Sequence, residues 1–158
     1  CVTAQHREML DQVLGVFGIV PDVDMDLMQD AQSLGSFASR AIAALDAYLE
    51  REAPDLVLVQ GDTTTTFCAA LAAFYHHIPV GHVEAGLRSF DRRMPEEVNR
   101  VVADHLSTWL FAPTLTAVDN LGSEGIVEGV VRVGDLMQDL AARTVPAIRD
   151  RSVPAVNS

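Results

Sequence analysis

The sequence predicts an α/β protein, a doubly wound parallel sheet, and three observations carry that reading. Stretches with helical spacing of apolar residues alternate along the chain with short apolar runs of strand length. The run "DLVLV" (55–59) is continuously apolar after its first residue rather than alternating, the signature of a strand buried on both faces. The segments between the strands are helical, and helical crossovers join parallel strands with a right-handed turn.

The elements follow in order. "CVTAQ" reads as the end of a strand. "HREMLDQVLGVFG" sets Met9, Leu10, Val13, Leu14 and Phe17 on one helical face, and Gly18 and Pro21 stop it. "SLGSFASRAIAALDAYLERE" repeats the pattern through Leu34, Phe37, Ala41, Leu45, Tyr48 and Leu49, and Pro54 ends it. After the strand at 55–59 comes a helix from about Thr63 to His76, then the strand "IPVGHV" (78–83). A loop with three arginines leads to Pro95, which suits the first turn of a helix reaching about Ser107. "TWLFAP" is the next strand, 114–124 a helix, "GVVRVG" a strand, and 135–144 a short closing helix.

At 158 residues the chain is about one domain, large enough for a real core. Twenty-two acidic residues against 11 basic ones leave a formal charge of −11, and no Lys/Arg-rich run breaks that balance. A sequence-independent grip on nucleic acid needs a basic stripe, so nucleic acid is excluded as a partner. The same charge disfavours an anionic membrane surface, and no apolar run is long enough to span a bilayer. Cys1 and Cys68 have neither metal-site nor redox spacing, which suits a reducing, cytoplasmic setting. The histidines His6, His76, His77 and His82 fit no metal-ligand spacing either. No G-x-S-x-G, P-loop or G-x-G-x-x-G is present, which argues against a serine nucleophile, a P-loop NTPase and a standard dinucleotide fold. Because the chain starts on Cys1 within a strand and ends in "VPAVNS", with no packing pattern, it is expected to be a piece of a longer protein.

Open α/β sheets bind ligands beyond the C-terminal ends of their strands. That rule selects Gln5-His6-Arg7, Gly61-Asp62-Thr63, Glu84 to Arg88, and Gly134-Asp135. Asp62 stands where a helix N-cap belongs and could accept the amides of Thr64 or Thr65. A helix N-terminus at that edge is equally an anion and ligand site, and four threonine hydroxyls there could bind a sugar or a phosphate. Glu84 comes directly off an apolar strand, where a carboxylate needs a partner. Arg88 could supply it as a structural pair, with Gly86 allowing a tight turn; alternatively Glu84 is tuned for proton transfer. Glu96 and Glu97 in the first turn after Pro95 suit the helix dipole. Val98, Val101, Val102 and Leu106 define the expected buried face, with Glu96 nearly opposite beside Arg100, as an ion pair or as a proton shuttle.

Four ordered segments carry a resemblance: "TAQHREMLDQVL", "PDLVLVQGDTTTTFCAALAAFYHHIPVGHVEAGLRSFD", "MPEEVNRVVADHLSTWLFAPT" and "VGDLMQDL". Together they resemble the non-hydrolysing UDP-N-acetylglucosamine 2-epimerases over about residues 1–140. The resemblance implies the N-terminal half of a B-type glycosyltransferase-like fold made of two Rossmann-like domains. On that reading residues 1–144 form a Rossmann-like domain lacking its first strand, glycine loop and helix. Residues 145–158 then form a linker toward an absent C-terminal domain that carries a catalytic histidine and most of the UDP site.

The implied reaction inverts a UDP-sugar at C2 by UDP elimination and re-addition through a 2-acetamidoglucal, as in cell-surface polysaccharide biosynthesis. By matching motifs the catalytic acids are Asp62, Glu84 and Glu96, and the substrate-binding residues are Asp62, Thr63, Glu84 and Arg88. Gln5 falls at a possible regulatory nucleotide-sugar site, although Glu8 and Ala31 stand where members with that site have a glutamine and an arginine. No metal or other cofactor is implied, and the full-length protein is expected to be a homodimer. "RSFDRRMPEE" and "VGD" also look like relatives acting on UDP-2,3-diacetamido-glucuronic acid. The competing classes are a non-catalytic nucleotide-sugar-binding domain and a glycosyltransferase half. The 158-residue chain alone is expected to be inactive.

Overall fold

The computed structural model describes residues 1–5, 7–29 and 31–149. The element order is α1 (Arg7–Phe17), α2 (Leu34–Glu52), β1 (Val57–Gln60), α3 (Thr64–Tyr75), β2 (Val80–Val83), α4 (Pro95–Leu106), β3 (Trp109–Ala112), α5 (Leu115–Ser123), β4 (Val130–Arg132) and α6 (Leu136–Arg149). The four strands form one sheet in the order β1-β2-β3-β4, and every pairing is parallel. A helix connects each strand to the next, so the α/β parallel architecture stands as expected.

One face of the sheet is packed. Val59, His82 and Leu110 lie side by side in register and are all buried. Above them α3 packs between α2 and α4. Phe37, Ala41, Leu45 and Leu49 of α2 meet Cys68, Ala70, Ala72 and Ala73 of α3 in the main core. The alanines keep α3 thin enough for close contact on both sides, while each large α2 side chain contributes about 1.5–3 kcal/mol on burial. A smaller core gathers Ala85, Leu110, Ala112, Ala117 and Leu121 where α5 packs on β3.

The other face differs from expectation. Leu58 is 62% exposed and Val131 46%, so "DLVLV" is not buried on both sides. Continuous apolarity records that each face is compatible with burial, while the covering has to come from other elements. Gly81 lies between Leu58 and Phe111 on this face, and a Cβ there would sit 2.6 Å from Leu58 Cδ2. The absence of a side chain on β2 lets its two neighbours close over it.

The N-terminal strand is reduced to a lone parallel bridge between Val2 and Asp24. Backbone bonds tie Val2 to Val23 and Met25, and Thr3 to Leu27. Residues 23–27, "VDMDL", alternate apolar and acidic, a strand-like pattern that the helix-centred reading of this region passes over. Arg7 at the start of α1 donates to Asp24 at 2.6 and 2.9 Å and to Asp26 at 2.6 Å. That guanidinium holds the Asp24 carboxyl below the usual carboxylate range. α1 itself buries no residue, and its expected core face is open, with Met9 68% exposed.

At the other end α6 runs past residue 144 to Arg149. The helix includes Pro146, so the breaker that would favour a linker there does not end it. The remainder of the expected 145–158 linker lies outside the described residues, as does His6.

Candidate active site

The β1–α3 turn is built by Gly61 and four threonines. Gly61 takes φ +73°, which lets the chain turn at the strand end. The N-cap is Thr63 rather than Asp62: its hydroxyl accepts the Thr66 amide at 3.3 Å. Thr66 sends its own hydroxyl back to the Gln60 carbonyl at 2.8 Å. Thr65 donates from its amide at 3.1 Å and its hydroxyl at 2.9 Å to Gln5 Oε1, and pairs with the Thr3 hydroxyl at 2.8 Å. Threonine is a mediocre helix former, but here its hydroxyls take up the backbone groups that a helix start leaves open.

Freed from capping, the Asp62 carboxylate pairs with Arg100 of α4. Asn99 donates to the Asp62 carbonyl at 2.9 Å, so two consecutive α4 residues grip Asp62 by side chain and backbone. The Glu96–Arg100 ion pair considered from spacing gives way to this one. Arg100 turns instead toward Asp62 and Glu97, the latter at 3.3 Å.

Glu84 directly follows β2 with φ +70°, a left-handed conformation that a non-glycine residue adopts at a cost of about 1–3 kcal/mol. Gln60, at the end of neighbouring β1, donates to its Oε1 at 2.9 Å. A Cβ on Gly61 would lie 3.6 Å from Glu84 Oε2, which places this carboxylate against the turn that carries Asp62. Its expected partner, Arg88, is engaged elsewhere. The Arg88 side chain is 1% exposed and binds Asp104 at 2.8 Å and Glu124 at 2.7 Å. Burial works against the Arg88 charge, but Glu124 and Asp104 outweigh it and raise the pKa above the ordinary arginine value. Gly86, φ +80°, has no room for a side chain, since a Cβ would fall 2.3 Å from the Ala117 carbonyl oxygen.

α4 reverses the expected polarity of its faces. Its buried residues are Glu97, Ala103 and Asp104, whereas Val98 is exposed and Val101 and Val102 are only half-buried. These valines line a groove of ≈ 460 Å³ with Phe90 and His105. Glu97 accepts the Ser89 amide at 2.9 Å, the Ser89 hydroxyl at 3.0 Å and the Phe90 amide at 2.9 Å. Burial would raise the Glu97 pKa; those donors and Arg100 prevail and hold it below the ordinary glutamate value. Glu96, one residue earlier, is exposed on the first turn. The two adjacent glutamates therefore have separate places, one clamping the 89–90 loop and one free toward solvent.

Asp62, Glu84 and Thr63 are thus brought to one edge by β1, β2 and the start of α3, with Glu96 on the α4 turn next to Arg100. Gln5 joins this edge through Thr65 and lines, with Thr63 and Gln60, a cavity of ≈ 610 Å³ beside α1. Among the described residues no group of three or more His, Cys, Asp or Glu side chains could hold a metal ion. Sequence reasoning missed the buried pair His82–Asp104, 2.6 Å apart and fully enclosed. A faint signal existed: His82 interrupts an apolar strand, and Asp104 stands seven residues after Glu97 on one helical face.

Carboxylates at the C-terminal edge of a parallel sheet define an α/β protein whose ligand site lies in the crevice beyond its strands. The chain belongs to the UDP-N-acetylglucosamine 2-epimerase family, whose model matches residues 1–157. It is 52% identical over 147 residues to a putative UDP-N-acetylglucosamine 2-epimerase of Thermotoga maritima, covering 92% of this chain and 39% of that protein. Against the UDP-N-acetylglucosamine 2-epimerase of Escherichia coli K12 the identity is 53% over 130 residues, 81% of this chain and 35% of the relative. Among solved structures, the Neisseria meningitidis UDP-GlcNAc 2-epimerase bound to UDP-GlcNAc superposes with a TM-score of 0.83 at 45% identity, over 99% of this chain and 45% of that one. The Methanocaldococcus jannaschii enzyme in complex with UDP-GlcNAc and UDP reaches a TM-score of 0.89 at 37% identity, over 95% and 42%. The chain therefore spans less than half the length of these relatives. No helix among the described residues is long and apolar enough to cross a membrane.

Proposed function

We propose that this chain forms the N-terminal half of a non-hydrolysing UDP-sugar 2-epimerase, with UDP-N-acetylglucosamine as the substrate. The observation that carries the reading is Glu84, held in a left-handed conformation against the Gly61–Asp62 turn by Gln60. Inversion at C2 through an eliminated intermediate needs one group to remove the C2 proton and another to return it on the opposite face. Carboxylates arriving from different elements can serve opposing faces of one carbon. Asp62 and Glu84 come from two strand ends and Glu96 from the α4 turn, and these three are the acids assigned to that work.

Thr63 belongs to the sugar-facing edge with them. Arg88 supports the loop from beneath, because Asp104 and Glu124 already occupy its guanidinium. Asp62 is paired with Arg100, so its carboxylate reaches a substrate only if that pair opens or is shared. An edge lined by carboxylates does not attract a pyrophosphate. Stabilising the departing UDP accordingly falls to the part of the protein beyond this chain, and the chain alone is inactive. The full-length protein is read as a cytoplasmic homodimer.

Incubating the full-length protein with UDP-N-acetylglucosamine in deuterated water tests the proposal, with UDP-2,3-diacetamido-glucuronic acid run in parallel. The expected result is deuterium at C2 of both epimers of the first sugar and no net hydrolysis. Unlabelled C2 would sink the mechanism, and labelling of the second sugar alone would transfer it to that substrate.

A further inference from the structure

The ring of His82 is buried with both nitrogens against acceptors. Nδ1 lies 2.6 Å from Asp104 Oδ1, and Nε2 lies 2.8 Å from the carbonyl oxygen of Gly61. A carbonyl oxygen cannot donate, so the Nε2 contact is a hydrogen bond only with a hydrogen on that nitrogen. The Asp104 carboxylate already accepts the Gly86 amide at 3.1 Å and Arg88 at 2.8 Å through Oδ2, leaving Oδ1 for His82. Both ring nitrogens are thus engaged, Nε2 at the β1 turn and Nδ1 at Asp104. His82, Arg88, Asp104 and Glu124 form one connected four-member network.

The placement of these bonds matters more than their number. One ring nitrogen holds the residue before Asp62. The other, through Asp104, holds the amide of Gly86, two residues after Glu84. His82 itself lies on β2, two residues before Glu84. A single ring thereby spans the β1 turn, the β2 turn and α4. Buried ionic groups are poor sources of net stability, since well-packed apolar replacements often do as well. Their attested use is to specify one arrangement. We propose that His82 is a positioning residue: a buried ring, engaged at both nitrogens, that locks the turns carrying Asp62 and Glu84 together and so fixes the separation of the two carboxylates. The catalytic consequence rests on the epimerase reading above, whereas the lock does not.

The test uses the full-length protein, wild type, H82Q and D104N. In the wild type, nitrogen-15 NMR of labelled histidine should show a hydrogen-bonded Nε2–H for His82, identified by its loss in H82Q. Amide hydrogen exchange in H82Q should accelerate at Gly86 and Glu84, while α2 amides keep their protection. In the C2 exchange assay, H82Q should lose roughly 10²-fold in kcat with KM changed less than about threefold, the pattern of misplaced reacting groups. D104N, which keeps the shape, should lose kcat in the same direction and serves if H82Q does not fold. A His82 ring without a hydrogen-bonded Nε2–H, or unchanged exchange at Gly86 and Glu84 in the variant that folds, overturns the lock. An intact lock with wild-type kcat in the variants overturns the positioning role. If the wild type itself exchanges no C2 proton, the epimerase reading fails and the positioning role fails with it, while the spectra and amide exchange still decide the lock.

Discussion

At the residue scale, the adjacent glutamates of "PEE" separate a structural carboxylate from a free one. Glu97 is 3% exposed and takes three hydrogen bonds from the 89–90 loop; Glu96 faces solvent. Glu97→Gln replaces an accepting oxygen with a donor against those amides and should cost about 1–3 kcal/mol, read as a lower urea midpoint. Glu96→Gln should leave the midpoint within about 0.5 kcal/mol and abolish C2 exchange in the full-length protein. The cysteines divide in the same way. Cys68 is fully buried, and burial pushes its thiol up to about 11, while Cys1 is exposed. A thiol reagent at neutral pH should label Cys1 rapidly and Cys68 only after denaturation, as peptide mass spectrometry would show.

At the scale of elements, the loop between β2 and α4 depends on one glycine. Gly86 combines φ +80° with a carbonyl where its Cβ would go, and its amide is bound by Asp104. Gly86→Ala should therefore destabilise by more than about 2 kcal/mol, strain and collision together, in equilibrium unfolding. A loss below about 0.5 kcal/mol would mean that the loop and α5 separate easily. Helix and strand extents were readable because periodicity and stop signals are local: α3, α4 and α5 fall within two residues of expectation at each end. Which face of a helix is buried was less readable. Apolar spacing put Val98, Val101 and Val102 of α4 inward, yet the packed side holds Glu97 and Asp104, because their partners arrive from β2 and from residues 86–90.

For the whole molecule, Glu97 sets an acid limb. Its folded pKa lies below the ordinary glutamate value, so between that value, about 4.3, and the lower folded one the unfolded chain binds more protons. The stability Glu97 contributes is complete above that window and is lost as pH falls through the folded value. Urea midpoints measured from pH 6 downward should fall below about pH 4.5, and Glu97→Gln should flatten that fall. An unchanged slope in the variant would assign the limb to other carboxylates.

The amino-acid sequence by itself determined the α/β class, the order of elements, the strand ends that gather Asp62, Thr63 and Glu84, and the family. Each of these rests on local periodicity or on motifs that keep their meaning wherever the chain lies. Only the tertiary structure decided the partners: Thr63 rather than Asp62 as the cap, Arg100 on Asp62, Gln60 on Glu84, Arg88 on Asp104 and Glu124, and His82 between two turns. A charged side chain has many possible partners at short spacing. Which one it takes depends on distances between residues 16 to 38 positions apart, and packing, not periodicity, sets those distances.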